Sequence, residues 1–210
     1  MNLFHFLLEN HEQVLELTAE HLWLVGVSTL LAVLVGIPLG IVSARWPAWN
    51  KPVLGTANII QTIPSLALFG FLLPVPWLGD RADRLAILAL TLYALLPVIR
   101  NTYTGIRGVD PAVVEAGRGM GLTDGQLLFQ VQLPLAVSVI LSGIRVAVVV
   151  SVGLATIAAA IGAGGLGEFI FRGLAMVNNQ LILAGAIPAA VLALSADFGL
   201  GWLERRLQPQ

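Results

Sequence analysis

The chain has 210 residues, 57% of them hydrophobic and only 11% charged, and its net charge is −1. A soluble domain carries about a quarter of its residues charged, so this chain cannot cover a water-facing surface, and no basic patch exists to hold nucleic acid. The absence of cysteine excludes a disulfide framework and any thiolate site. Two charge-free runs, 22–44 and 53–79, are each long enough for a bilayer core, which takes about 20 residues. The expected fold is an all-α polytopic membrane protein, with a lead-in helix over residues 1–20 and one membrane domain over 21–206. With no sizeable soluble domain, any catalysis or energy coupling in water must come from other chains.

Residues 2–20 read as an amphipathic helix. Leu3, Phe4, Leu7 and Leu8 lie on one side, while Glu9, Glu12, Glu16 and Glu20 recur at steps of three and four as an acidic stripe. A solvated lead-in helix is expected, and its acidic face would not be drawn to an anionic inner leaflet. The first residues lack Lys and Arg, so a cleavable signal is not expected. Span 1 covers about 22–44. Its Gly36 and Gly40 form a small-xxx-small pair that permits close helix packing, and Pro38 is placed to kink it. Arg45, Trp46, Trp49 and Lys51 follow as an interfacial anchor.

Span 2 covers about 53–73 and has a polar middle: Asn58, then Gln61, Thr62, Ile63, Pro64 and Ser65. Pro64 removes a backbone donor and frees a carbonyl one turn earlier, and in lipid such a group must meet protein or a cavity. A polar loop with Asp80, Arg81, Asp83 and Arg84 leads to span 3, about 85–103, with Pro97 near its end and Arg100 and Asn101 behind. The next apolar stretch, 127–166, is broken only by Arg145. It fits one long helix over roughly 134–161 or two short spans. Residues 162–180 are rich in Gly and Asn, and a last span, about 181–203, contains Pro188 and Asp197.

Charge decides between five and six spans. With five, one side holds Arg45, Lys51, Arg100, Arg107, Arg118, Arg205 and Arg206, and the other only Arg81, Arg84 and Arg172. That asymmetry fits the positive-inside rule, with the N-terminus outside and the C-terminus inside. Five spans are expected, with Arg145 on a long, partly protruding fourth helix.

The longest polar insert runs from Asp110 to Pro134. Asp110 is a good N-cap, and Pro111 suits the first helical position. Gly117, Gly119 and Gly121 limit that helix, and Thr123 with Gln126 fits a capping box that opens another. The residues fit either a cytoplasmic helix–turn–helix elbow exposing Glu115 or a polar loop that merely joins two spans. The string Glu115-Ala116-Gly117, three residues, Gly121, nine residues, Val131, one residue, Leu133-Pro134 resembles the "EAA" loop of binding-protein-dependent ABC importer permeases. Gly117 stands where that pattern has Ala, and Val131 where it has Ile. The segments 61–65, 92–106 and 164–167 are similar to the glycine betaine/carnitine/choline branch of the family.

The resemblance implies a MetI-like permease of about five spans in the bacterial cytoplasmic (inner) membrane, paired with itself or with a similar second permease chain. Two ATPase subunits would dock on the elbows, carrying the ATP and Mg that this chain does not bind, and an extracytoplasmic binding protein would deliver an osmoprotectant. Glu115, Ala116, Gly117, Gly121, Leu133 and Pro134 would then form the coupling element: Glu115 its polar anchor, Gly121 its turn, and Leu133-Pro134 its junction with the membrane helix.

Other candidates divide between transport and structure. Gln61, Thr62, Pro64, Ser65, Asn101, Tyr103 and Thr104 could line the path, or bond helix to helix. Tyr93, Phe69 and Phe71 could face a quaternary ammonium group, though core or lipid packing is favoured. Asp197 could be an ion site, a helix cap or a partner of Arg145, with a structural role favoured. The glycines over 162–167 match G-x-G-x-x-G but follow a membrane helix rather than a strand, so a dinucleotide site is rejected. His5, His11 and His21 are too scattered for a metal site, and no nucleophile–base pair marks an enzyme. The competing functions are a related ABC permease for an amino acid or methionine, and an ion-coupled carrier using Asp197, which would show inverted repeats; none is visible.

Overall fold

The computed structural model describes residues 3–207, with side chains from Phe6 onward, so the expected apolar positions Leu3 and Phe4 and the side chain of His5 lie outside the described residues. All regular structure among the described residues is helical. Helix α1 (Leu3–Glu9) is separated by Asn10 from α2 (His11–Arg45), a single helix of 35 residues. Residues 11–20 therefore run straight into span 1 instead of forming a separate lead-in. Their apolar side is used: Leu17 is buried, and with Val14 it packs on Leu166 and Phe169.

Span 2 is broken. Helix α3 (Pro47–Thr62) stops at Ile63-Pro64, and α4 (Ser65–Leu72) leaves at a bend of 101°. Helix α5 (Ala82–Arg107) is the third long helix and α6 (Pro111–Gly119) the first arm of the polar insert. Helix α7 runs without interruption from Asp124 to Ile161, 38 residues, straight past Arg145. The stretch on either side of Arg145 is therefore one helix and not two short spans. After a glycine loop come α8 (Gly167–Ala175) and α9 (Asn179–Arg206). Among the described residues, four helices are long and apolar enough to cross a membrane, five spans if α3 and α4 count as one.

Helix α5 is the central post, flanked by α2, α3, α4 and α7, while α9 leans on α7 and α8. The largest cluster joins Leu24 and Val25 of α2, Phe69 of α4, Leu85 and Leu90 of α5, and Val152 and Ala155 of α7. In lipid there is little hydrophobic gain from helix contact, so association depends on close packing of small residues. The α2–α5 seam meets that demand as the sequence predicts. A Cβ at Gly36 would lie 2.8 Å from Val98 Cγ1, and one at Gly40 would lie 2.5 Å from Thr102 Cβ. The opposite side of α2 exposes Leu30, Leu31 and Leu34, an apolar face suited to lipid.

Gly40→Leu should force α2 off α5 and lower the thermal unfolding midpoint of the purified protein, since overpacking costs about 1–3 kcal/mol. Gly26→Leu is the control, because a Cβ there meets nothing within 4 Å; its midpoint should not fall.

Candidate functional site

The polar insert folds as its caps direct. Asp110 accepts the Ala112 N–H at 2.8 Å, and Pro111 fills the first position of α6. The helix ends in a paired closure: Leu122 N–H reaches the Gly117 carbonyl at 3.1 Å and Gly121 N–H the Arg118 carbonyl at 2.9 Å. This closure needs a left-handed residue one past the cap, and Gly121 supplies it with φ 86°. Thr123 and Gln126 then form the expected capping box: Gln126 N–H donates to Thr123 Oγ1 at 3.3 Å, and Thr123 N–H donates to Gln126 Oε1 at 2.8 Å.

The second arm of this elbow is not a helix of its own but the start of α7. Residues 127–132 form a π-helical stretch, in which the Leu133 N–H reaches back to the Leu128 carbonyl. Pro134 follows directly. Its ring crowds the carbonyl four residues back, and the wider π turn gives it room. Leu133 is half-buried and Pro134 exposed. Gly117 is buried, and a Cβ there would come within 2.6 Å of Leu127 Cδ2. Leu127 thus fills the space that an alanine methyl would take.

Glu115 and Ala116 are exposed on α6. Glu115 lines a polar cleft of about 300 Å³ with Arg45, Arg107, Arg118 and Gln132. Sequence reasoning treated Arg45 only as an interfacial anchor. Its Nη1 donates to the Asp124 carbonyl at 2.8 Å, tying the end of α2 to the start of α7. No sequence signal pointed to that contact.

The broken span is stitched to α5 through one residue. Gln61 Nε2 donates to the Tyr93 carbonyl at 2.9 Å, and the Tyr93 hydroxyl donates to the Ile63 carbonyl beside Pro64. Tyr93 is 8% exposed, so it is a packed structural group rather than an open aromatic face. Thr62 is exposed, its hydroxyl turned back to the Ile59 carbonyl at 2.7 Å, and Ser65 is half-buried. Arg100 Nη2 donates to Asn58 Oδ1 at 2.7 Å, a second tie between α5 and α3.

Asn101, Tyr103 and Thr104 lie farther along α5. From Tyr93 to Asn101 is about 12 Å of helix axis, so these residues and Gln61–Ser65 form two groups. Asn101 donates to the Pro97 carbonyl at 2.9 Å and sits against Gly143 of α7. Thr104 is exposed beside the elbow, in an apolar cleft of about 440 Å³ with Val109, Val113, Leu135 and Val139.

Two further sites concern residues weighed from sequence. Gly164 and Gly165 both adopt positive φ, and Gly165 N–H donates to Glu20 Oε2 at 2.9 Å. A Cβ at Gly164 would overlap that carboxylate. The glycines therefore wrap Glu20, which is not simply part of a solvated stripe. Asp197 is paired: Arg145 Nε lies 3.0 Å from its Oδ1, while Arg145 Nη1 lies 3.1 Å from Glu204 Oε2. Among the described residues no group of three His, Asp or Glu side chains could hold a metal ion.

The sequence model of the "binding-protein-dependent transport system inner membrane component" family matches residues 36–209. The chain belongs to that family. Its members are membrane subunits of transporters rather than enzymes, and the family has no cofactor of its own; ATP hydrolysis resides in a separate subunit. A carnitine transport permease protein, OpuCB of Listeria monocytogenes, is 45% identical over 205 residues, covering 98% of this chain and 93% of that protein. The Bacillus subtilis glycine betaine/carnitine/choline transport system permease protein OpuCD is 46% identical over 202 residues, 96% of this chain and 87% of that one. Among solved structures, an inward-facing MetNI methionine ABC transporter matches with a TM-score of 0.85 and 22% identity, covering 95% of this chain and 98% of that one. At that identity the likeness shows the fold alone, and the fold is that of a MetI-type permease. This permease is a multi-pass membrane protein that works with an ATPase and an extracytoplasmic binding protein.

Tyr93→Phe should leave the Ile63 carbonyl unpaired beside Pro64, at a cost of about 1–3 kcal/mol. The expected result is a lower unfolding midpoint, with no change in helix content by circular dichroism.

Proposed function

We propose that this permease carries osmoprotectants with a quaternary ammonium group, such as glycine betaine, carnitine, choline or proline betaine. The observation that carries the substrate class is 40–46% identity over nearly the whole chain to permeases named for carnitine, choline and glycine betaine transport. Two ATPase subunits, each with ATP and Mg, act on a pair of permease chains, either two copies of this one or this one with a similar second chain. The N-terminus lies outside and the C-terminus inside the cytoplasmic membrane. In support, Arg45, Arg107 and Arg118, which the charge bias puts on the inner side, line one cleft at the elbow.

Glu115, Ala116 and Gly117 of α6 form the surface gripped by the ATPase. Closure of the ATPase pair on ATP moves α6, and Gly121 fixes its angle to α7. The continuous helix through Leu133 and Pro134 then passes that movement to the membrane domain. Gln61, Thr62, Pro64 and Ser65 at the break, and Asn101, Tyr103 and Thr104 on α5, are the proposed lining of the path. Asn101 and Gln61 already spend donors on backbone carbonyls, so solute selection rests mainly with the binding protein. The acid that the ion-coupled alternative would use, Asp197, is paired with Arg145.

Two experiments test this. A tagged copy purified from the membrane should bring down an ATPase whose hydrolysis rises with a binding protein loaded with glycine betaine, carnitine or choline. Stimulation by a methionine-loaded binding protein and not by these would overturn the substrate class. Gly121→Val, strained at positive φ, should insert normally in the membrane yet fail to assemble or hydrolyse ATP without uptake. Normal uptake by that variant would contradict the coupling role.

A further inference from the structure

We infer that Arg145 is a positioning residue for transport, fastening the C-terminal half of α9 to the elbow-bearing helix α7 so that the two move as one body. This rests on the coupling role proposed for the elbow.

Of the four unbroken membrane helices, α9 is the least buried. Its buried positions are Leu181, Ala184, Gly185, Ala189 and then only Gly201. Leu192 and Ala193 still pack against the core, but beyond them Leu194, Phe198, Trp202 and Leu203 are exposed. Apolar packing therefore holds the last turns of the helix only weakly. What meets it from α7 is Arg145, the one charge between Asp124 and Glu168.

The guanidinium spans two turns of α9. Asp197, Gly201 and Glu204 stand on one face of that helix, at helical spacing. Nε pairs with Asp197 at 3.0 Å and Nη1 with Glu204 at 3.1 Å. Between them a Cβ at Gly201 would come within 2.7 Å of Nη1. The guanidinium thus occupies the space where a side chain at position 201 would begin, and a larger residue there would displace it. Arg145 and Glu204 are 32% and 19% exposed, so the pair is partly withdrawn from water. A forked pair of this kind is directional, and it fixes the register of α9 against α7 where apolar contact would allow sliding. Removing Arg145 leaves Glu204, the less exposed of the two carboxylates, without its partner, while Asp197 is 43% exposed. Glu20, a carboxylate held instead by the Gly165 N–H, fastens the N-terminal part of α2 to the glycine loop and is not part of this set.

The test uses the assembled transporter in lipid, with Arg145→Lys, Arg145→Met and the neutral triple variant Arg145→Met/Asp197→Asn/Glu204→Gln. Arg145→Met should keep ATP hydrolysis within about twofold while solute moved per ATP falls about tenfold; Arg145→Lys should restore most of that ratio. If Arg145→Met does not assemble, the triple variant, which leaves no unpaired charge, carries the test and should show the same uncoupling. A triple variant with the normal ratio would overturn the proposal. Because the chain has no cysteine, spin labels can be placed at Leu135→Cys on α7 and Leu203→Cys on α9 of one copy. In the isolated permease their spacing should be narrow with the fork intact and broad in the triple variant; equal widths would overturn the fastening itself. Absence of ATP-driven transport in the unaltered complex would instead count against the functional proposal, and the label spacing would still decide the fastening.

Discussion

Inside a bilayer a backbone N–H or C=O has no water to turn to, so the chain departs from helix only where a side chain or another turn meets that demand. Three departures from helix in this permease, two between membrane helices and one at the elbow, show how backbone groups are met. At Pro64 the freed carbonyls are gathered by a short turn and by the Tyr93 hydroxyl, with Gln61 bonded in return to the Tyr93 backbone. At the glycine loop, Glu20 takes the Gly165 N–H. At the elbow, Asp110 and the Thr123–Gln126 pair cap two helix starts, and Arg45 takes the Asp124 carbonyl. Each departure is tied to a different helix from the one it interrupts, and these ties join the helices into one domain.

The same ties set what can move with what. Helix α5 holds α2, the broken span and α7 through close contacts such as Gly40 on Thr102 and Gly143 on Asn101. Helix α7 is continuous from the elbow turn to the glycine loop. A push on α6 therefore has no hinge in α7 at which to dissipate, apart from the π-helical stretch before Pro134. Helix α9 is joined to α7 by different means at its two ends: packing through α8 near Leu181 and ion pairs through Arg145. A transporter that rocks between two states needs such stiff members, and the sequence supplies them with few charges and many small residues.

Much of this was legible in the sequence because its causes are local. Asp110, Pro111, Thr123 and Gln126 are cap residues at cap spacings, and they cap as read. Gly36 and Gly40 mark a close seam because nothing but a small residue fits there. The run across Arg145 was ambiguous by length, and charge bias rightly favoured one helix. The parts that were missed depend on distant partners. Pro64 announces a break but not its angle of 101°, which follows from Phe69 and Leu68 packing into the core beside Leu85. Arg45 and Glu20 looked like an anchor and a solvated stripe because their partners lie 79 and 145 residues away. The polar residues grouped as one path fall at two levels of α5, since the register of α3 against α5 is set by Gln61 and Tyr93.

The most direct measurement is solute uptake into vesicles holding the permease, its ATPase and the binding protein, with ATP sealed inside and all ion gradients collapsed. Labelled glycine betaine, carnitine or choline should accumulate, and accumulation should stop when the ATP is exhausted. Uptake that persists without ATP and disappears with an ion gradient, or accumulation of methionine in place of these solutes, would contradict the account.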